Sequence, residues 1–190
     1  DNTDPALIAR VQSRIDLKRT LFVVVSKSGG TLETVLALGH FAGLLQRNGL
    51  RLADHMIAVT DPASGKLRAF ADEHDLETAD IPTPVGGRFS VLTAAGLLPA
   101  ALLGLDVAAL LQGAERAHTA SWPGQLGVLA AELCQQGKTG LVFMPYSSRL
   151  EYLSDWFVQL WDESLGKDGK GQTAIRAVGA TDQHAQLQLF

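Results

Sequence analysis

Four short stretches of the sequence carry residue types whose spacing could do chemistry. Ser26-Lys27-Ser28-Gly29-Gly30-Thr31 sets three hydroxyls beside a run of backbone amides, just after an apolar run and just before a helical pattern. Free amides at a helix N-terminus, with hydroxyls around them, form a cradle suited to a phosphate or another anion. The same residues would also serve as a plain strand-to-helix turn whose Ser and Thr only cap the helix. Gly86-Gly87-Arg88 is the second stretch. Paired glycines let the backbone come close to a ligand and a guanidinium could then meet an oxyanion, or the pair is simply a turn beside an exposed arginine.

Gln159 and Glu163 form the third, at a spacing that puts both on one face of a helix ending at Gly166. In a last turn the negative end of the helix dipole disfavours a charged carboxylate, which suits Glu163 to proton abstraction. A solvated Gln and Glu on a helix surface is the ordinary alternative. The fourth is His184, placed by Thr181 and Asp182 in the first turn of a short helix if these act as N-capping groups. It is either a proton-exchanging imidazole or a histidine of the surface or core.

Other chemistries find no support. Asp72-Glu73-His74-Asp75 points in several directions if helical, so a solvated charged face is expected there and no metal site. No Walker A loop, H-E-x-x-H, G-x-S-x-G, G-x-G-x-x-G or C-x-x-C is present.

The elements that must position these residues read as strands alternating with helices. Val23, Val24 and Val25 belong to a continuous apolar run, 21–25, which predicts a parallel strand buried on both faces. A helix is expected over 31–47, ended by Asn48-Gly49, then a strand over 55–60 closed by Asp61-Pro62. A helix over 64–74, a short strand over 78–81, helices through 91–134, a strand over 140–144, a helix over 149–165 and a strand over 174–178 follow. Alternation of this kind predicts an α/β fold, an αβα sandwich with parallel sheets.

With 46% hydrophobic and 19% charged residues in a chain of 190, the composition is that of a globular protein. A net charge of −4 gives no electrostatic case for a nucleic-acid partner. The apolar stretch 91–111 is broken by Thr93, Gly96, Pro99, Gly104 and Asp106, so two packed helices are expected and no membrane span. The single cysteine, Cys134, rules out an internal disulfide and fits a reducing compartment, so the cytoplasm is expected. The first residues show neither a basic nor an apolar leader region, so no signal peptide is expected.

Taken together, the stretches 22–34, 85–90, 161–167 (Trp-Asp-Glu-Ser-Leu-Gly-Lys) and 181–184 (Thr-Asp-Gln-His) occur in the order of one family, and the chain resembles phosphoglucose isomerases. The resemblance implies two sugar-isomerase domains of doubly wound parallel sheet, each partly represented. Residues 1–112 would form the C-terminal part of the first with its linking helices, and residues 113–190 the N-terminal part of the second. It implies cofactor-free interconversion of glucose 6-phosphate and fructose 6-phosphate through an enediolate. By similarity, Ser26, Lys27, Ser28 and Thr31 would hold the sugar phosphate, and Glu163 would move a proton between C1 and C2. Arg88 would stabilise the enediolate, Gln159 would contact the sugar, and His184 would assist ring opening from the neighbouring subunit of a homodimer. The chain would be a central piece, without the family's N-terminal region and the C-terminal segment carrying its catalytic lysine. A non-catalytic sugar-phosphate-binding module, or the isomerase part of a larger fusion enzyme, stand as alternatives.

Overall fold

The computed structural model describes residues 2–189, so the outer bounds of the two expected domains, Asp1 and Phe190, lie outside the described residues. The chain divides into two compact units, one ending at Leu111 and the next beginning at Gln112.

In the first unit, α1 (Pro5–Gln12) precedes β1 (Phe22–Val25), α2 (Leu32–Arg47), the single-turn α3 (Leu52–His55), β2 (Met56–Thr60), α4 (Lys66–Glu73) and β3 (Glu77–Asp80). A 3₁₀ segment, Gly87–Leu92, leads into α5 (Ala94–Leu102). The strands form one parallel sheet in the order β1-β2-β3, with Phe22 opposite Met56, Val25 opposite Val59 and Ile57 opposite Glu77. β2 runs through the middle, and Met56, Ala58, Val59 and Thr60 are all buried. Its core partners are Ala42 and Leu45 of α2 and Leu67 and Ala71 of α4. Complete burial of a leucine such as Leu45 is worth about 1.5–3 kcal/mol.

β1 departs from the expectation of burial on both faces. All four of its residues are only half-buried, because the strand is the edge of the described sheet and an open apolar groove of about 280 Å³ lies between it and α2. The apolar run is what a buried strand requires, but its cover depends on neighbours that its own residues do not specify. α1 and α3 are further departures, since neither carries a pattern long enough to predict a helix. α1 has no buried residue.

The second unit includes α7 (Trp122–Gln135), β4 (Gly140–Phe143), α8 (Glu151–Leu165), β5 (Thr173–Arg176) and the one-turn α9 (Gln183–Gln186); α6 (Val107–Thr119) spans the division between the units. β4 and β5 pair in parallel, Gly140 opposite Thr173 and Phe143 opposite Arg176. β5 stops at Arg176, short of the expected 178, because the Val178 N–H turns away to donate to Asp182 Oδ2 at 2.7 Å. Among the described residues no helix is long and apolar enough to cross a membrane.

Candidate functional site

The hydroxyl-rich turn of the first unit is built outward from the sheet. Ser26 continues the ladder, its N–H donating to the Val59 carbonyl at 3.0 Å, and its buried hydroxyl accepts the Gly29 N–H at 3.0 Å. Ser28 Oγ accepts the Gly30 N–H at 3.2 Å, and the Thr31 hydroxyl lies 3.5 Å from that of Ser26. Thr31 is the N-cap of α2, yet its side chain makes no capping bond. Ser28 and Thr31 are exposed. The three hydroxyls thus gather around the start of α2, two of them open to solvent, as an anion cradle requires.

The back of the turn is held by the next βα connection. The Lys27 carbonyl accepts from Thr60 Oγ1 at 3.1 Å and from the Asp61 N–H at 3.3 Å, and the Ser28 carbonyl accepts the Lys66 N–H at 3.2 Å. Gly29 has a φ of +65°, and a side chain there would run into Leu67. Gly65, at φ +106°, brings the first turn of α4 against the Ser28 carbonyl, where a Cβ would stand 2.7 Å away.

Asp61, read in the sequence only as a turn former, organises this support. One carboxylate oxygen accepts the Ala63 and Ser64 N–H groups at 3.0 and 3.1 Å and the Ser64 hydroxyl at 3.3 Å. Of these the Ala63 bond acts most strongly to hold the carboxyl below the usual carboxylate range. Burial opposes it, and the Ser64 amide and hydroxyl and the Lys27 charge add to it. Arg68 of α4 completes the brace, donating to the Asp61 carbonyl at 3.0 Å, to Thr78 Oγ1 at 3.1 Å and to Asp80 Oδ1 at 2.8 Å. Neither Arg68 nor Thr60 carries a sequence motif; both act through partners that only the fold brings near.

Lys27 reaches the other candidate loop. Its Nζ donates to the carbonyls of Thr83 and Val85, both at 2.6 Å, five and three residues before Arg88. Arg88 itself is half-buried, with its Cζ 4.7 Å from the centre of the Phe89 ring. Ser90, which is buried, donates its hydroxyl to the Gly87 carbonyl at 2.6 Å.

In the second unit, α8 turns one stripe to the two-stranded sheet. Ser154 donates to the Ala177 carbonyl at 3.3 Å, Phe157 stacks on Phe143 at 4.5 Å, and Asp162 Oδ1 accepts the Ala174 N–H at 2.9 Å. That spacing leaves Gln159 and Glu163 together on the exposed part of the helix, with Gln159 Nε2 3.5 Å from Glu163 Oε2. Lys167 Nζ donates to the Glu163 carbonyl at 2.7 Å and closes the helix C-terminus. Arg176 of β5 ties down the first turn through Glu151 at 2.6 Å and Asp155 at 3.2 Å.

His184 is exposed on α9, a single turn. It does lie in the first turn of that helix, but the expected capping needs one correction. Asp182 stands at the N-cap, but its carboxylate makes no capping bond there and reaches back to Val178. The segment is instead framed by Tyr146, whose hydroxyl donates to Gln183 Oε1 at 2.9 Å and whose ring leaves no room for a side chain at Gly179. Asp72 meets Arg68 at 3.8 Å and the His74 ring packs on Phe70, and no group of metal-binding side chains forms among the described residues.

Ser26, Lys27, Ser28, Thr31 and Arg88 therefore belong to the first unit, and Gln159, Glu163 and His184 to the second. Comparison with known proteins covers both. A family model described as phosphoglucose isomerase matches residues 1–187. The chain is 44% identical to the probable glucose-6-phosphate isomerase of Haloarcula marismortui, aligning over its whole length and 45% of that protein. It is 46% identical to the glucose-6-phosphate isomerase of Thermus thermophilus, again over its whole length and 48% of the relative. Among solved structures, a hypothetical protein of Thermus thermophilus superposes with a TM-score of 0.89 at 44% identity, over 100% of this chain and 48% of that one. A glucose-6-phosphate isomerase of Chlamydia trachomatis gives 0.79 at 32% identity, over 98% of this chain and 40% of that one. The chain spans about half the length of the curated relatives it matches, and on the match over residues 1–187 it belongs to the phosphoglucose isomerase family.

Proposed function

We propose that the protein containing this chain is an aldose–ketose isomerase that interconverts glucose 6-phosphate and fructose 6-phosphate. The observation that carries the proposal is the cradle at the start of α2, where Ser26, Ser28 and Thr31 converge and Thr31 leaves its hydroxyl free of capping. A dianionic phosphate bonded there anchors the substrate without entering the reaction, so the sugar carbons are held for proton transfer at small entropic cost.

In this mechanism Glu163 takes the proton from C2 of the aldose and returns it to C1, while a second proton passes between the two oxygens. Arg88 stabilises the negative charge that develops on the enediolate oxygen. Gln159, sharing a helix face with Glu163, hydrogen-bonds the sugar, and His184 exchanges the proton needed to open the ring. No electron acceptor is needed, because one carbon is oxidised as its neighbour is reduced, so the reaction proceeds without a cofactor. The active form is a homodimer in the cytoplasm, with His184 supplied across the subunit interface.

The test is solvent exchange. The full-length protein, incubated with fructose 6-phosphate in deuterated water, should yield glucose 6-phosphate carrying deuterium at C2, the carbon to which Glu163 returns the proton taken from C1 of the ketose. Isomerisation without any solvent exchange, even at elevated temperature, would argue for hydride transfer and against an enediolate; no turnover of either sugar phosphate would overturn the assignment.

A further inference from the structure

The Lys27 ammonium carries a role that differs from the one its place in the cradle suggests. Three N–H donors leave from Nζ, and two are committed to the Thr83 and Val85 carbonyls at 2.6 Å. Those carbonyls lie 56 and 58 residues along the chain, in the connection that leaves β3. This connection has its own turn, closed by the Val85 N–H donating to the Pro82 carbonyl at 2.9 Å. It then runs through Gly86 into the 3₁₀ segment that begins at Gly87 and carries Arg88. The backbone of Lys27 is fixed equally firmly, through its carbonyl, to Thr60 and Asp61. One residue thus joins the phosphate turn to the loop that presents the guanidinium.

We infer that Lys27 is a positioning residue, whose ammonium sets the Arg88 loop against the cradle, and that it is not itself a ligand of the substrate phosphate. The composition and exposure of the loop leave it few other means of being held. Gly86 and Gly87 have no side chains to pack, Thr83, Pro84, Gly86 and Gly87 are all exposed, and a charged donor to two carbonyls is the strongest tie the connection makes among those described. Misplacement of a charge-stabilising group by about an ångström is enough to cost roughly a hundredfold in rate. The hydroxyls of Ser26, Ser28 and Thr31 remain to hold the phosphate.

The inference rests on the isomerase proposal for its kinetic part only. In the full-length protein, Lys27→Met keeps the length of the stem and removes the donors. Hydrogen exchange of a peptide covering residues 83–90 should rise at least about tenfold, with the peptide covering β2 unchanged. Calorimetric affinity for inorganic phosphate should stay within about threefold of the parent. Turnover of fructose 6-phosphate should fall at least about tenfold, and Lys27→Met should add less than about threefold to the loss caused by Arg88→Met, since both act through one group. Unchanged exchange in residues 83–90 overturns the inference, as does a tenfold or greater loss of phosphate affinity, which would make Lys27 a phosphate ligand. Where the parent turns over no sugar phosphate, the isomerase proposal fails and the exchange result alone decides the tether. If Lys27→Met does not fold, Lys27→Gln replaces it. The shorter, uncharged side chain cannot reach both carbonyls, with the same outcomes expected.

Discussion

Gly29→Ala is the sharpest probe of the idea that the cradle is held from behind by α4. The residue sits at φ +65°, where an L side chain costs about 1–2 kcal/mol. Its Cβ would also stand 2.8 Å from the Leu67 Cβ and closer still to the Leu67 N–H group, against a normal separation of about 3.5–4 Å. Leu67 is 2% exposed and belongs to the core, so α4 cannot move aside without disturbing Ala71 and Met56. Overpacking of that kind costs about 1–3 kcal/mol more. Together the two effects amount to about 3 kcal/mol, a large share of the 5–15 kcal/mol that stabilises a typical domain. Gly30 supplies the control, because a Cβ there meets only Ser28 Oγ at 3.7 Å and has no positive φ to satisfy. The first unit contains no tryptophan, so native-state hydrogen exchange of β2 is the appropriate assay. Gly29→Ala should lower its protection about a hundredfold, and Gly30→Ala should leave it within about fivefold of the parent. Equal protection in the two variants would refute the argument that α4 buttresses the turn.

The remaining predictions concern the chemistry and the borders of the chain. Glu163→Gln should leave phosphate binding intact and lower turnover at least about a hundredfold, measured by steady-state kinetics on the full-length protein. Ser28→Ala combined with Thr31→Ala should raise the Michaelis constant for fructose 6-phosphate at least about tenfold with a smaller effect on turnover, because the phosphate anchors without reacting. Asp61 has a folded carboxyl held below its unfolded value, so its contribution to stability is present above about pH 4 and fades as the pH falls through the folded value. The stability gap between the parent and Asp61→Asn, followed by urea unfolding, should therefore be constant near neutrality and shrink in acid. The 190-residue chain made alone should be inactive and self-associate on sedimentation. Among the described residues β1 is the half-buried edge of its sheet, and β4 and β5 form a sheet of two strands.

The alternation of strand and helix was legible because the apolar runs are long and end in strong punctuation. Val23 to Val25 before Ser26, Met56 to Val59 before Asp61-Pro62, and the stop of α2 at Asn48-Gly49 all fall where turn chemistry predicts. α1 was not legible because its apolar stripe, Leu7, Ile8 and Val11, spans only eight residues, too short a run to set a helix apart from a loop. The edge position of β1 was not legible either, since a strand's own side chains cannot say whether anything lies beyond it. Local chemistry also left directions open. An aspartate at position 182 predicts a helix start, but whether its carboxylate turns forward to cap or back to Val178 is set by the loop around it. The same holds for Lys27, whose carbonyl partners come from a distant connection that no local pattern could assign.

The bonds behind the cradle also determine what faces outward from it. A trans peptide unit is planar, with its carbonyl and N–H pointing in opposite directions. The unit joining Lys27 to Ser28 has its carbonyl drawn toward Thr60 and Asp61, so the Ser28 N–H is turned the other way, away from the end of β2. If the turn holds an anion as proposed, the direction of that donor is already set before the anion arrives. Ordering one residue's backbone costs about 1–2 kcal/mol, and here that cost is met when the sheet and α4 assemble, not when ligand binds. Thr60→Val would keep the strand and its shape while loosening this orientation. On the proposed reading of the turn as an anion cradle, residues buried in the middle of the sheet would influence anion affinity without lining the site.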